Sequence, residues 1–277
     1  MRSLLVSMFN PFLIPKLIWN NHFLLYQLVQ RNFIGRYKGS ALGIIWSIVQ
    51  PLLMLLVYTF VFTFVLKCKF GIPLEDERPG AFSVIMFAGM TVFNIFSEAV
   101  NNSSVSIIGN QNFVKKVIFP LELLPIAQVI SSVLFGIIWF GLLFLGNLFI
   151  LKTLSWTMLF LPLILVPLIL FSLGVSFIAA SLTVYLKDTP YIIMVLLQIM
   201  FFMTPIFYPV TAVPEKFRLL LYLNPLSEIV EQIRLTFLYG LYPNYLYVGI
   251  LWLGSAFVCQ LGFLWFNKTK KGFADVI

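Results

Sequence analysis

Charge is scarce in this chain. Asp, Glu, Lys and Arg make up 10% of its 277 residues, where a soluble domain carries about 25%. A fold with a fully solvated surface is excluded on that ground alone. Histidine is scarcer still: His22 is the only one, and a lone imidazole makes neither a zinc site nor a proton relay. Cys68 and Cys259 are the two cysteines, and they stand in no metal-ligand or redox spacing. The sequence has no G-x-x-x-x-G-K-[ST] phosphate loop, so the chain has no motif for binding ATP in the usual way. It also lacks an aspartate cluster that could hold a metal for glycosyl or phosphoryl transfer. Arg2 ahead of Leu4-Leu5-Val6 has the start of a signal peptide, but Asn10, Pro11 and Pro15 interrupt it, so the segment is expected to be retained.

Long apolar runs fill the space that charge leaves. Hydrophobic residues make up 61% of the chain. Gly39–Leu66, Leu123–Leu151, Thr153–Leu186, Thr189–Pro214 and Leu235–Asn267 carry no charge, and Pro79–Val114 carries only Glu98. Each run reaches the roughly 20 residues that a helix needs to cross a bilayer. The expectation is an all-α membrane protein of six transmembrane helices, with no room for a soluble catalytic domain.

The net charge of +8 could suggest nucleic acid. The basic residues flank the spans, however, so membrane orientation accounts for them and no nucleic-acid partner is expected. With both ends cytoplasmic, Arg2, Lys16, Arg31, Arg36, Lys38, Lys115, Lys116, Lys187, Lys268, Lys270 and Lys271 lie inside, eleven of the eighteen basic residues. Lys67 and Lys69 dissent, but the outer loops also hold acids, including Glu75, Asp76 and Glu77.

Three segments outside the spans carry patterns of their own. Leu17–Lys38 has the spacing of an amphipathic helix, with Ile18, Leu25, Leu28, Val29 and Phe33 on one face. Asn20, Gln27, Arg31 and Lys38 fall on the other face, which suits a helix lying in the headgroup plane. Asn110–Pro120 mixes amides and lysines with Phe113, Val114, Ile118 and Phe119, an apolar load that suits a short helix docking into another protein. Pro205 and Pro209 end the fifth run abruptly. Two amphipathic pieces follow, Pro214–Leu223 and Pro225–Leu238, with Asn224 as cap and Pro225 at the first helical position. Neither is long enough to span, so a re-entrant hairpin turning at Asn224-Pro225 is expected.

Glu98 is the one acid deep in a span, and Ser97, Asn101, Asn102, Ser103, Ser104 and Ser106 make its surroundings polar. That face either lines a wet path for a hydrophilic substrate or hydrogen-bonds to another helix. Tyr58, Phe60, Phe62 and Phe64 sit at one depth, and Phe201, Phe202, Phe207 and Tyr208 at the matching one. Such rings form an interfacial belt or stack on passing sugars.

Arg36-Tyr37-Lys38-Gly39-Ser40-Ala41-Leu42-Gly43-Ile44-Ile45-Trp46 running into Gln50-Pro51 resembles the start of ABC-2-type export permeases. Asn112–Pro120, Pro205-Ile206-Phe207-Tyr208-Pro209, Val213–Lys216 and Leu223–Leu226 resemble later parts of the same family, in the same order. Within it the chain is most similar to the polysaccharide branch: O-antigen exporters first, with capsule and teichoic acid exporters as near relatives.

The resemblance implies a homodimer in the bacterial inner membrane, paired with two copies of an ATP-binding subunit that holds ATP and magnesium. This chain itself would be no enzyme and would bind no cofactor or metal. Asn112, Phe113, Lys115, Lys116, Phe119 and Pro120 would then belong to a cytoplasmic coupling helix seated in the ATPase. Arg31, Arg36 and Lys38 would meet the pyrophosphate of a lipid-linked polysaccharide at a lateral gate, among membrane lipids. Tyr58, Phe62, Glu98, Asn101, Phe207 and Tyr208 would line the conduit. The chain would divide into an N-terminal interfacial part (1–38), a transmembrane domain (39–267) and a cytoplasmic tail (268–277). The coupling helix would take up 109–120 and the re-entrant helices 210–238. Two other classes remain open: an ATP-independent carrier using Glu98, and an intramembrane enzyme acting on polyprenyl-linked sugars.

Overall fold

The computed structural model describes residues 13–66, 70, 80–115 and 119–277. Arg2, Lys67, Cys68, Lys69, Glu75, Asp76, Glu77, Lys116 and Ile118 fall outside the described residues. No strand occurs among the described residues, and the architecture is all-helical.

The first two helices, α1 (Leu13–Asn20) and α2 (His22–Gly35), correct the expectation of one helix over Leu17–Lys38. Asn21 breaks it: its Nδ2 donates to the Leu17 carbonyl at 2.9 Å, closing the last turn of α1 with a side chain. α2 then stops at Gly35, and the chain turns through Gly39 at φ +90°, a conformation that favours glycine. The expected apolar face is correct, because Leu25, Leu28 and Val29 are buried. Trp19, Phe23 and Tyr26 project from the other side, where rings suit the headgroup layer.

The bundle follows. α3 (Trp46–Thr59) continues in wider turns to Val65. Next come α4 (Ala81–Ser104) and a single turn, α5 (Gln111–Val114). α6 (Leu123–Gly146) runs on to Leu151, and α7 spans Leu161–Tyr185. α8 (Thr189–Met203), α9 (Glu215–Leu223) and α10 (Pro225–Ile233, extended to Leu238) lead to α11 (Tyr245–Thr269) and α12 (Phe273–Val276).

Among the described residues, five helical stretches are long and apolar enough to cross a membrane: Gly43–Val65, Ala81–Ser104, Leu123–Leu151, Trp156–Tyr185 and Tyr245–Val276. This is a membrane protein. The fifth of the six expected runs yields only α8, with 15 residues. At 1.5 Å per residue it is about 22 Å long, against a hydrocarbon core of about 30 Å. Pro205 shortens it by forcing Thr204 into extended backbone at ψ 134°. The sixth expected run begins at Leu235, but its helix starts only at Tyr245, where the Asn244 side chain caps it.

α4 is the central helix. In its most apolar stretch 83% of residues are buried, against 6% in α3. It packs on α6 and α7 most extensively, and on α10, α8 and α3 as well. α7 and α11 meet backbone to backbone, since a Cβ on Gly262 would lie 2.2 Å from the Gly174 carbonyl oxygen. Lipid tails are as apolar as side chains, so close packing of this kind is what holds such helices together.

Polar side chains complete the irregular ends. Asn147 Nδ2 donates to the Phe237 carbonyl and Thr157 Oγ1 to the Thr236 carbonyl, both at 2.7 Å. These bonds satisfy acceptors that a helix end leaves open. The final residues fold back onto the bundle: Phe273 is buried beside Phe266 and Tyr185, and Lys270 pairs with Glu122 at the start of α6.

Candidate functional site

A single face of α4 carries Asn94, Ser97, Glu98 and Asn101 at the three- and four-residue spacing that stacks side chains one turn apart. These residues form one wall of a cavity of about 890 Å³. Gln50 from α3, Gln128 from α6 and Gln198 from α8 add amides, and Phe93, Trp139 and Phe201 add rings. A buried amide is costly without partners. The lining amides are half-buried (Asn94, Gln128) or exposed (Gln50, Asn101, Gln198), and several facing one hollow make it suited to a hydroxyl-rich ligand, with rings available for the apolar faces of sugars.

Arg31, Arg36 and Tyr37 close the chamber at the α2 end. Arg36 Nη1 forms an ion pair with Glu98 Oε1 across 62 residues of chain. Its guanidinium also stands 4.3 Å above the centroid of Phe135, a ring that Phe33 of α2 stacks against at 4.5 Å. Burial pushes the Tyr37 phenol above its usual range, so it stays neutral. Arg31 leans toward the loop after α4, 6.0 Å from the Phe113 ring centroid. Lys38 is exposed and does not join this wall.

The opposite end is stoppered by rings. Phe62 and Phe207 stack at 5.0 Å, Tyr58 lies 5.7 Å from Phe207, and Phe201 packs edge-on to Phe207 at 5.3 Å. Of the residues expected to line a conduit, Tyr58, Glu98 and Asn101 line the cavity, while Phe62 and Phe207 sit in this stopper. Tyr208 does neither; its hydroxyl donates to the Phe202 carbonyl at 2.8 Å. Asn224 fulfils its expected capping role, accepting from Leu226 N at 3.1 Å while its Nδ2 donates to Thr204 Oγ1 at 3.0 Å. Pro225 follows as the first residue of α10.

The loop after α4 is arranged differently from its sequence pattern. Val114 is buried, and Phe113 and Phe119 stack on one another at 4.3 Å against the bundle's own apolar cluster. Asn112 and Lys115 are exposed, and Pro120 is partly buried. Lys116 lies outside the described residues. A second hollow of about 480 Å³ separates this loop from Arg31.

Residues 24–238, from α2 to the end of the α10 extension, match the ABC-2 type transporter family. The chain belongs to that family. Within it, the ABC-2 chain is 30% identical over 255 residues to an O-antigen export system permease protein RfbA of Klebsiella pneumoniae, covering 92% of this chain and 95% of that protein. A protein of the same name from Myxococcus xanthus is 27% identical over 264 residues, again covering 92% and 95%. The matched region holds the whole of the amide-lined chamber and its aromatic stopper.

Sequence reasoning misses two sets of residues. Gln50, Gln128 and Gln198 each stand inside an uncharged run and Asn94 in the run broken only by Glu98, and an amide among apolar residues is the available signal. Arg234 falls in the sequence within the amphipathic piece Pro225–Leu238 and gives no sign of a special role, yet among the described residues it is the largest fully buried side chain. It donates to the carbonyls of Ile206 at 3.0 Å and Ile85 at 3.3 Å, and stands 4.7 Å from the centroid of Phe70. It thus ties α4, the unwound chain after α8 and the α10 extension together.

Proposed function

We propose that this chain is the membrane-spanning permease subunit of an ATP-driven exporter that carries undecaprenyl-diphosphate-linked polysaccharide, O-antigen first, across the bacterial cytoplasmic membrane. The observation that carries the proposal is the open, amide- and ring-lined cavity in an otherwise apolar bundle. A hydrophilic polymer needs such a lining, and the names of the relatives point to the same cargo. ATP hydrolysis is assigned to a separate subunit, two copies of which would serve a homodimer of this chain.

In this arrangement both termini are cytoplasmic. α8 forms the short fifth of six crossings, completed by the unwound Thr204–Pro209, whose first three residues are buried in protein. α9 and α10 form the re-entrant pair at the outer side. Asn112 and Lys115 face the ATP-binding partner, with Phe113 and Phe119 bracing the loop from behind. The pairing of Glu98 with Arg36 supports a conduit over a proton-driven carrier, because the acid already has a cation. Deleting the gene in its native bacterium should remove surface O-antigen while lipid-linked polymer accumulates inside. Loss of capsule or wall teichoic acid in its place would reassign the cargo, and unchanged surface polysaccharide would refute export.

A further inference from the structure

The Arg36–Glu98 pair has an arrangement that a purely structural bridge does not require. It is made through one nitrogen and one oxygen, and the two side chains keep 33% and 20% of their exposure, so a ligand in the chamber can reach them. A guanidinium can offer two parallel donors to a phosphate. Arg36 is also held by the face of Phe135, independently of Glu98. Losing the carboxylate would therefore leave the cation in place beside Phe135 and Tyr37, with no anion on it.

We propose that Glu98 is a resident competitor for Arg36, whose carboxylate keeps monoanionic phospholipids off that cation and yields only to a lipid carrying a diphosphate. The inference rests on the export reading above. A phosphodiester lipid brings one charge, so exchanging it for the carboxylate gains nothing and strands Glu98 among helices. A diphosphate brings more charge, can grip the guanidinium with two oxygens, and can reach Arg31 on the same wall. The released carboxylate keeps Ser132 Oγ within 3.5 Å. Selectivity thus comes from a built-in opponent as much as from attraction.

The test uses the purified assembly of this chain with its ATP-binding subunit, and two probes: undecaprenyl diphosphate and dioleoyl phosphatidylglycerol. Binding is read by native mass spectrometry. Glu98→Gln should raise phosphatidylglycerol affinity about fivefold or more, with a smaller gain for the diphosphate, so that discrimination falls. Glu98→Asp, which restores the charge, should restore discrimination, and Glu98→Ala substitutes if the glutamine variant fails to assemble. Arg36→Ala should weaken the diphosphate alone. Suppose the diphosphate binds through Arg36 but its preference over phosphatidylglycerol is the same in wild type and both neutral variants. The competitor role is then overturned while export stands. If wild type and Arg36→Ala bind the diphosphate equally, the headgroup site itself falls, and this inference with it.

Discussion

The crossing of α7 and α11 allows a prediction with an internal control. An alanine Cβ at Gly262 would lie 2.2 Å from the Gly174 oxygen, 2.8 Å from its carbonyl carbon and 2.9 Å from its Cα. Every obstacle is backbone, so no rotamer change relieves the clash, and the helices must separate by about 1 Å. A gap of that size forfeits a quarter to a half of the dispersion energy along the seam, including contacts of Phe177 with Phe263 and Phe266. Overpacking of this kind costs about 1–3 kcal/mol, and backbone-on-backbone contact puts Gly262→Ala near 3. At about 2–4 °C per kcal/mol, the melting temperature should fall by roughly 6–12 °C. Gly254, on the same helix, has open space for 4 Å around the point where an alanine methyl would stand; there alanine should raise stability by about 0.5–1 kcal/mol. Fluorescence-detected size-exclusion after heating in mild detergent measures both. Equal melting of Gly262→Ala and Gly254→Ala would refute the account of this crossing.

Two further outcomes are expected. Arg234→Ala should cost about 2–4 kcal/mol, because it opens a cavity and leaves the Ile206 carbonyl without its donor. The same heating assay checks this, and a variant as stable as wild type would remove Arg234 as the tie between α4 and the chain after α8. Lys115→Glu should lower co-purification of the ATP-binding subunit by roughly tenfold, about 1.4 kcal/mol for reversing an exposed charge at the contact; membrane insertion should be unaffected. Full co-purification with intact export would take this loop out of the subunit contact.

What the sequence determined was the solvent of the fold. Runs of that length with so little charge permit only a membrane, and each contains most of one helix among α3, α4, α6, α7, α8 and α11. Local chemistry was equally legible at Asn224-Pro225, because a cap acts on its own next residues. The family was legible in short ordered motifs, which the match over 24–238 bears out.

Tertiary structure decided everything that depends on which faces meet. Hydropathy counts Phe113, Val114 and Phe119 as apolar without saying that they turn inward onto each other and the bundle. It scores Arg234 as one more charge on an amphipathic piece, whereas three segments supply carbonyls and a ring to bury it. It marks Glu98 as expensive but cannot find its cation, which lies 62 residues away in sequence. Composition fixes the medium in which a residue must be stable, because transfer energy is a property of the residue. Partners across the bundle are set by helix rotation and crossing, and these emerge only when side chains from distant segments pack.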